Sequence, residues 1–203
     1  MGEGMIHESG PWKAQLLRDA TLLERWAREP EPSETRSFRI ERRVFLAAYA
    51  MRKLDEGLKL STALLGKPIQ VQRFDSTRPG YAAHTSYGFD RYFDLKHPRS
   101  AELPRRDLLN MLIHSLAYIE VVGDAGTYDG FMVTSDRERE RALFEVDLAA
   151  YTKLMREAGR DYPSEIRRAF DANRGRWITW TGHGDPPPEV QRRLREALAT
   201  NAE

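Results

Sequence analysis

Apolar residues recur at helical spacing near the start of the chain and at alternating spacing further on. Over residues 11–29, PWKAQLLRDATLLERWARE, the residues Trp12, Leu16, Ala20, Leu23 and Ala27 share one face, which predicts a helix. Pro11 suits its first turn, where no intrahelical donor is needed. PEPS at 30–33 breaks the pattern, and Ser33 is placed to cap a second helix. That helix is predicted over 34–60, because Ile40, Val44, Ala47, Met51, Leu54 and Leu58 follow the spacing of a buried stripe. Arg39, Arg42 and Arg43 lie on its opposite face.

From 61 to 100 the period changes. GKPIQVQRF alternates apolar and polar residues and predicts a short strand. DSTRPGYAAHTSYGFDRYFDLKHPRS has no period and reads as a long excursion held down by its Tyr and Phe residues. A core helix is predicted over about 104–118, on Leu108, Leu112 and Leu116. The runs YIEVV, GFMVTS and ALFEV, separated by GDAGTYDG and DRERER, predict an antiparallel β-meander. Residues 135–147 also fit a helix, as part of one long run DRERERALFEVDLAAYTKLMREAG over 136–159. The meander is preferred because Phe131, Val133, Leu143 and Val146 sit in short apolar runs around polar turns.

Asp147 can cap a helix over 148–159, and Ser164 opens a short helix ended by Gly175. RWITWTGHGDPPP reads as a linker, and PPEVQRRLREALA as an amphipathic helix on Val190, Leu194, Ala197 and Leu198. The expected architecture is α+β, mainly α: a helical core, a small antiparallel β-meander and a C-terminal helical arm. Residues 1–175 form a single globular domain on this reading, and 176–203 are the linker and amphipathic helix. Deletion of 177–203 should then leave the remainder folded.

Composition narrows the chemistry. A chain of 203 residues can bury a core without staples. The absence of Cys removes disulfides, thiol nucleophiles and Cys-based zinc sites. The formal net charge is +1, so no global field draws nucleic acid or a membrane, and any basic patch is local. The five His residues, at 7, 84, 97, 114 and 183, show no metal-ligand spacing. No metal and no cofactor is expected. MGEGMIHESG lacks the basic-then-apolar order of a secretory leader, and VFLAAYAM at 44–51 is too short to span a bilayer. A cytoplasmic protein with no membrane partner is expected.

RRDLLNMLIHS, residues 105–115, sets Arg106, Asn110 and His114 four residues apart inside an apolar run. His moves protons near neutral pH, while Arg and Asn can hold a phosphate or orient the imidazole. The same stripe also fits the polar edge of a core helix, with His114 satisfying a backbone carbonyl. LLNMLIHS resembles the catalytic motif of the HEPN superfamily, compact helical bundles found in prokaryotic toxins and defence proteins. In that motif an Arg stands four to six residues ahead of a His, often followed directly by Asn. Asn110 and His114 match; Leu109 occupies the Arg position, and Arg105 and Arg106 stand nine and eight residues ahead of His114. Active members are metal-independent ribonucleases that dimerise so that two motifs face each other. The resemblance implies a HEPN-like bundle acting as a homodimer or complex subunit. With Leu109 in place, the group expected to stabilise the phosphate is missing.

Nucleic-acid contact has two further candidates. Arg36, Arg39 and Arg43 project from one helix face, and RRLR at 192–195 does so near the C-terminus, both interleaved with acids. In the excursion, Tyr81, Tyr87, Tyr92 and Phe93 alternate with Arg78 and Arg91, the composition that stacks bases and holds phosphates. Trp177 and Trp180 look exposed and suit RNA or a protein partner. Three readings stay open. The first is a non-catalytic HEPN-like module binding a protein partner or RNA. The second is a metal-independent ribonuclease using His114 for proton transfer, Asn110 to orient it and Arg105 or Arg106 on the phosphate. The third is an interaction subunit unrelated to HEPN, docking through WITWTGHGDPPP and the last helix. An open groove shared by His114 and an Arg would favour the first two, and burial of His114 the third.

Overall fold

The computed structural model describes residues 7–30, 32–82 and 88–200. Tyr87 lies outside them. Helix α1 spans Ser9–Ala27 and α2 spans Glu34–Glu56; each buries its predicted stripe except Trp12, which is exposed, and Leu58, which lies beyond the end of α2. The Ser33 hydroxyl accepts the Arg36 backbone N–H at 3.1 Å, which is the expected N-cap. α2 stops four residues short of 60, at the cap residue Gly57, and Leu58 adopts a positive φ of 59°. A short α3, Thr62–Gly66, leads into β1, Pro68–Asp75. Strand β2, Arg99–Pro104, runs directly into α4, Arg105–Ile113. The meander follows as β3 (Ser115–Val122), β4 (Tyr128–Ser135) and β5 (Ala142–Asp147). Asp147 caps α5, Leu148–Arg160, by accepting the Ala150 N–H at 2.8 Å. The chain then forms β6 (Glu165–Asp171), β7 (Arg176–Gly182) and α6 (Pro188–Thr200).

The mainly helical expectation is corrected by the sheet. β1 and β2 join the meander in one five-stranded antiparallel sheet of order β2-β1-β5-β4-β3, with β6 and β7 as a separate pair. Both faces of the large sheet are apolar. Ile69, Val71, Phe131, Val133, Phe144 and Val146 face the layer of α1, α2, α4 and α5. Phe74, Ala117 and Leu143 face the other way and are covered by Tyr81 and Phe93 of the excursion. A sheet buried on both sides needs two covering layers, and the excursion is the second. Its aromatics therefore help hold the fold together, as the Tyr and Phe content of the stretch suggests.

Four local expectations also change. The helix predicted over 104–118 ends at Ile113, because Ser115 onward pairs with β4. β2 lies inside what reads as irregular chain and is held by its register against β1. The helix predicted from Ser164 to Gly175 is strand β6, and the linker at 176–182 is strand β7, paired from Glu165↔Gly182 to Asp171↔Arg176. The C-terminal arm is thus the last part of a ββα unit. Ala169, Ile178, Leu194 and Ala197 form its own small cluster, with Val190 against it.

Two close approaches lock the layers. A Cβ on Gly159 would meet the Leu17 side chain at 2.8 Å, so glycine lets α5 press onto α1. The Arg36 side chain, 1% exposed, is a buried hub rather than a surface cation. Its Nη1 donates to the carbonyls of Glu29 and Gly126, both at 2.7 Å, and its Nη2 meets Glu120 Oε1 at 3.0 Å. Ser37 donates to the second Glu120 oxygen at 2.6 Å. Glu120→Ala is therefore expected to destabilise the protein by about 3 kcal/mol in denaturant unfolding, because it leaves a buried guanidinium without its counter-charge. A change below about 0.5 kcal/mol, the level of an ordinary surface substitution, would contradict this role.

Candidate functional site

The structure separates the residues of the RRDLLNMLIHS stripe. Arg106 Nη2 donates to Asp55 Oδ1 of α2 at 3.0 Å. Burial pushes the Asp55 carboxyl above its ordinary range, against the opposing pull of Arg106 and Arg52. Arg105 turns the other way, with Nη1 2.6 Å from Glu157 Oε2 of α5 and 3.3 Å from the Leu64 carbonyl. Leu109 is fully buried. Asn110 is half-buried, and its carbonyl accepts the His114 N–H at 3.0 Å. His114 is the exposed C-cap of α4, at the step into β3. It does not sit in the core, and both upstream guanidinium groups are tied to acids on other helices.

The aromatic candidates divide as well. Tyr81 is 1% exposed, edge-on to Tyr92 and Phe93 at 5.5 and 5.2 Å, and cannot offer its face to a base. Arg78 lies over the half-buried Tyr92 ring at 4.3 Å, and Arg91 is exposed beside it. The two Trp residues differ. Trp180 is 6% exposed and faces a cavity, whereas Trp177 is 57% exposed. On the outer face of the hairpin Phe170 pairs with Trp177 and Arg168 with Thr179. The Phe170 and Trp177 ring centroids are 5.5 Å apart, and the Arg168 guanidinium lies 4.7 Å from the Trp177 ring. The arginines proposed on α2 do not form a free row. Arg36 is buried, Arg43 bonds to Asp19, and Arg39 and Arg43 lie near the Trp26 ring.

One concavity among the described residues was missed by sequence reasoning. It has a volume of about 880 Å³ and lies where α3, α5 and the β7–α6 connection meet. Its back is built around Asp161, the residue that ends α5. Asp161 Oδ2 accepts the Ser61 backbone N–H at 2.6 Å and Oδ1 accepts the Ser61 hydroxyl at 2.5 Å. His183 Nε2 lies 3.4 Å from the same Oδ1. The Asp161 carbonyl accepts the ammonium of Lys13, which also donates to the Lys59 carbonyl at 2.7 Å. Burial lowers the Lys13 pKa, while Asp161 pulls it up. Thr181 completes the seat: its N–H reaches Thr62 Oγ1 at 2.9 Å, and its hydroxyl donates to the Leu60 carbonyl at 2.6 Å.

Ser61, Asp161 and His183 do not form a nucleophilic triad. The Ser61 hydroxyl donates to the carboxylate and not to the imidazole, so the Ser–His–Asp order of such a triad is not made. Among the described residues no group of three His, Asp or Glu is arranged to hold a metal ion. No described helix is long and apolar enough to cross a membrane. No local signal in the sequence marks this cavity, because Ser61 and Asp161 lie 100 residues apart. No family model matches the chain, and neither a curated protein nor a solved structure matches it.

Asp161→Ala is expected to leave two donors of Ser61 without their acceptor and to destabilise the protein by about 1–3 kcal/mol. Asp161→Asn, which keeps one carbonyl oxygen, should recover part of that loss. Unfolding midpoints equal to wild type for both variants would show that the joint carries no energy.

Proposed function

We propose that this chain is a non-catalytic, cytoplasmic module that binds single-stranded RNA through the outer face of the β6–β7 hairpin. The observation that carries the reading is Trp177, held open to solvent between Phe170 and the Arg168 guanidinium. A rigid aromatic with an adjacent cation is how sequence-tolerant single-strand binding is built, a base on the ring and a phosphate on the arginine. Charge supports it locally. From Glu165 to Ala199 there are seven Arg residues and no Lys against five acids, an excess that the chain's near-zero total hides.

The non-catalytic part rests on the stripe. Leu109 stands in the core, and Arg105 and Arg106 are engaged with Glu157 and Asp55, so neither of these guanidinium groups is free to stabilise a phosphate at His114. The HEPN likeness remains a resemblance carried by Asn110 and His114, and a degenerate member of that kind would also bind without cutting. A second reading, docking of a protein or of a second copy, draws on α2. There Phe38, Leu46 and Tyr49 are exposed large apolar residues on one helix.

Fluorescence polarisation with a labelled U-rich 12-mer tests the first reading. Trp177→Ala should weaken binding about 5- to 150-fold, the loss of about 1–3 kcal/mol of stacking. Leu46→Ser should leave RNA affinity unchanged, and the wild-type protein should leave the RNA intact. Absence of RNA binding, with a dimer in sedimentation that Leu46→Ser dissociates, would favour the second reading. Metal-independent cleavage abolished by His114→Ala would overturn the non-catalytic assignment.

A further inference from the structure

We propose that the cavity at α3, α5 and the β7–α6 connection binds a small anionic amphiphile, a molecule with an apolar body and one carboxylate, sulfonate or phosphate head. The site is separate from the Trp177 face and does not depend on it. Three features point to this class of ligand: size, an apolar wall and uncompensated positive charge.

The volume of about 880 Å³ is that of a small-molecule site, for which about 300–1,000 Å³ is usual. Ala63, Leu64, Ala149, Trp180 and Pro187 supply the apolar wall. Trp180 is almost wholly buried in the protein, so its indole is a fixed surface and not a swinging side chain. A ligand with an apolar body removes that wall from water, which a bare inorganic anion does not.

Charge decides the head group. Lys153, Arg156, Glu157 and Arg160 share one face of α5, at i, i+3, i+4 and i+7, and all line the cavity. The two in the middle are occupied: Arg156 pairs with Glu24 at 2.6 Å, and Glu157 with Arg105 at 2.6 Å. The bonds from Arg156 and Thr152 outweigh the effect of burial and hold the Glu24 carboxyl below its ordinary range, so that acid stays charged and committed. Asp161 is committed to Ser61 and His183. Lys153 and Arg160 at the two ends of the row, and Lys67 on the opposite wall, line the cavity and form no ion pair among the described residues. Asp185 is the one lining acid in the same condition among the described residues. Once the pairs cancel, three cations face two carboxylates, Asp161 and Asp185, and the Lys13 ammonium stands against Asp161 from behind, so the balance at the cavity is positive. A cationic ligand is repelled by that balance, and a neutral one leaves it unused.

The test uses two fluorescent probes with the same apolar body. 8-Anilinonaphthalene-1-sulfonate carries the anionic head, and N-phenyl-1-naphthylamine lacks it. The intact chain is expected to bind one sulfonate probe, at least about 10-fold more tightly than the neutral one. Combined Lys67→Ala, Lys153→Ala and Arg160→Ala, all at exposed positions, should erase that preference without altering the melting temperature. Ala149→Phe, which fills the wall, should weaken both probes, and Trp177→Ala should change neither. Competition then identifies the head. Displacement by decanoate assigns a carboxylate, and displacement by decyl phosphate but not decanoate assigns a phosphate. Equal binding of the two probes, no saturable binding, an unchanged preference in the triple variant, or equal displacement by decanol would each overturn the proposal.

Discussion

The Asp161 carboxylate accepts both the backbone N–H and the hydroxyl of Ser61, while its own carbonyl takes the ammonium of Lys13. Through that one residue the end of α5, the start of α3 and the body of α1 are fixed relative to each other. His183 brings the C-terminal unit to the same oxygen, and Thr181 seats β7 on the carbonyl of Leu60. Each of these groups would otherwise be a poorly solvated donor or acceptor, and leaving one unmet costs about 1–3 kcal/mol. The joint therefore decides where the ββα unit sits. The cavity follows from that seat, since Trp180, Thr181, Gly182 and His183 form one wall and α5 the other.

Beneath the joint is a more general constraint. The five-stranded sheet carries apolar side chains on both faces, so it must be covered twice. Four helices cover one face. The long excursion between β1 and β2 covers the other with Tyr81 and Phe93, which explains why so many aromatics lie in a stretch without period. Those aromatics are spent on packing and leave little for recognition. The aromatic left open is on the hairpin, where Trp177 and Arg168 sit on a face that α6 does not cover.

What could be read from the chain follows how local each signal is. α1, α2 and α5 were legible because an amphipathic stripe and a capping residue such as Ser33 or Asp147 lie within one segment. The meander was legible from short apolar runs between polar turns. β6 was not: its inward side offers only Ala169 and Asp171 as buried residues, and its strand form comes from pairing with β7 and packing on α6. Arg36 looked like a surface cation, because Glu120, its partner 84 residues on, gives no sign within the helix. Trp177 was recognised as exposed. Trp180, three residues along, was placed with it, although the alternation of a strand sends the two side chains to opposite faces. The cavity could not be read at all, since each contributing element supplies only a few polar residues that look like ordinary surface.

The chain thus combines a doubly covered sheet, a seated ββα unit with a stacking face, and a pocket at the seam. The last two depend on the C-terminal unit being docked and not trailing as an arm. A disulfide across the seam measures that directly. Thr62 and Thr181 place their Oγ atoms 3.3 Å apart, and the chain has no cysteine to compete. In the Thr62→Cys, Thr181→Cys double variant, mild oxidation of the folded protein should close the bond within one chain and raise the melting temperature. Both thiols remaining free in the folded protein, and reacting with a thiol reagent as fast as in denaturant, would contradict the account.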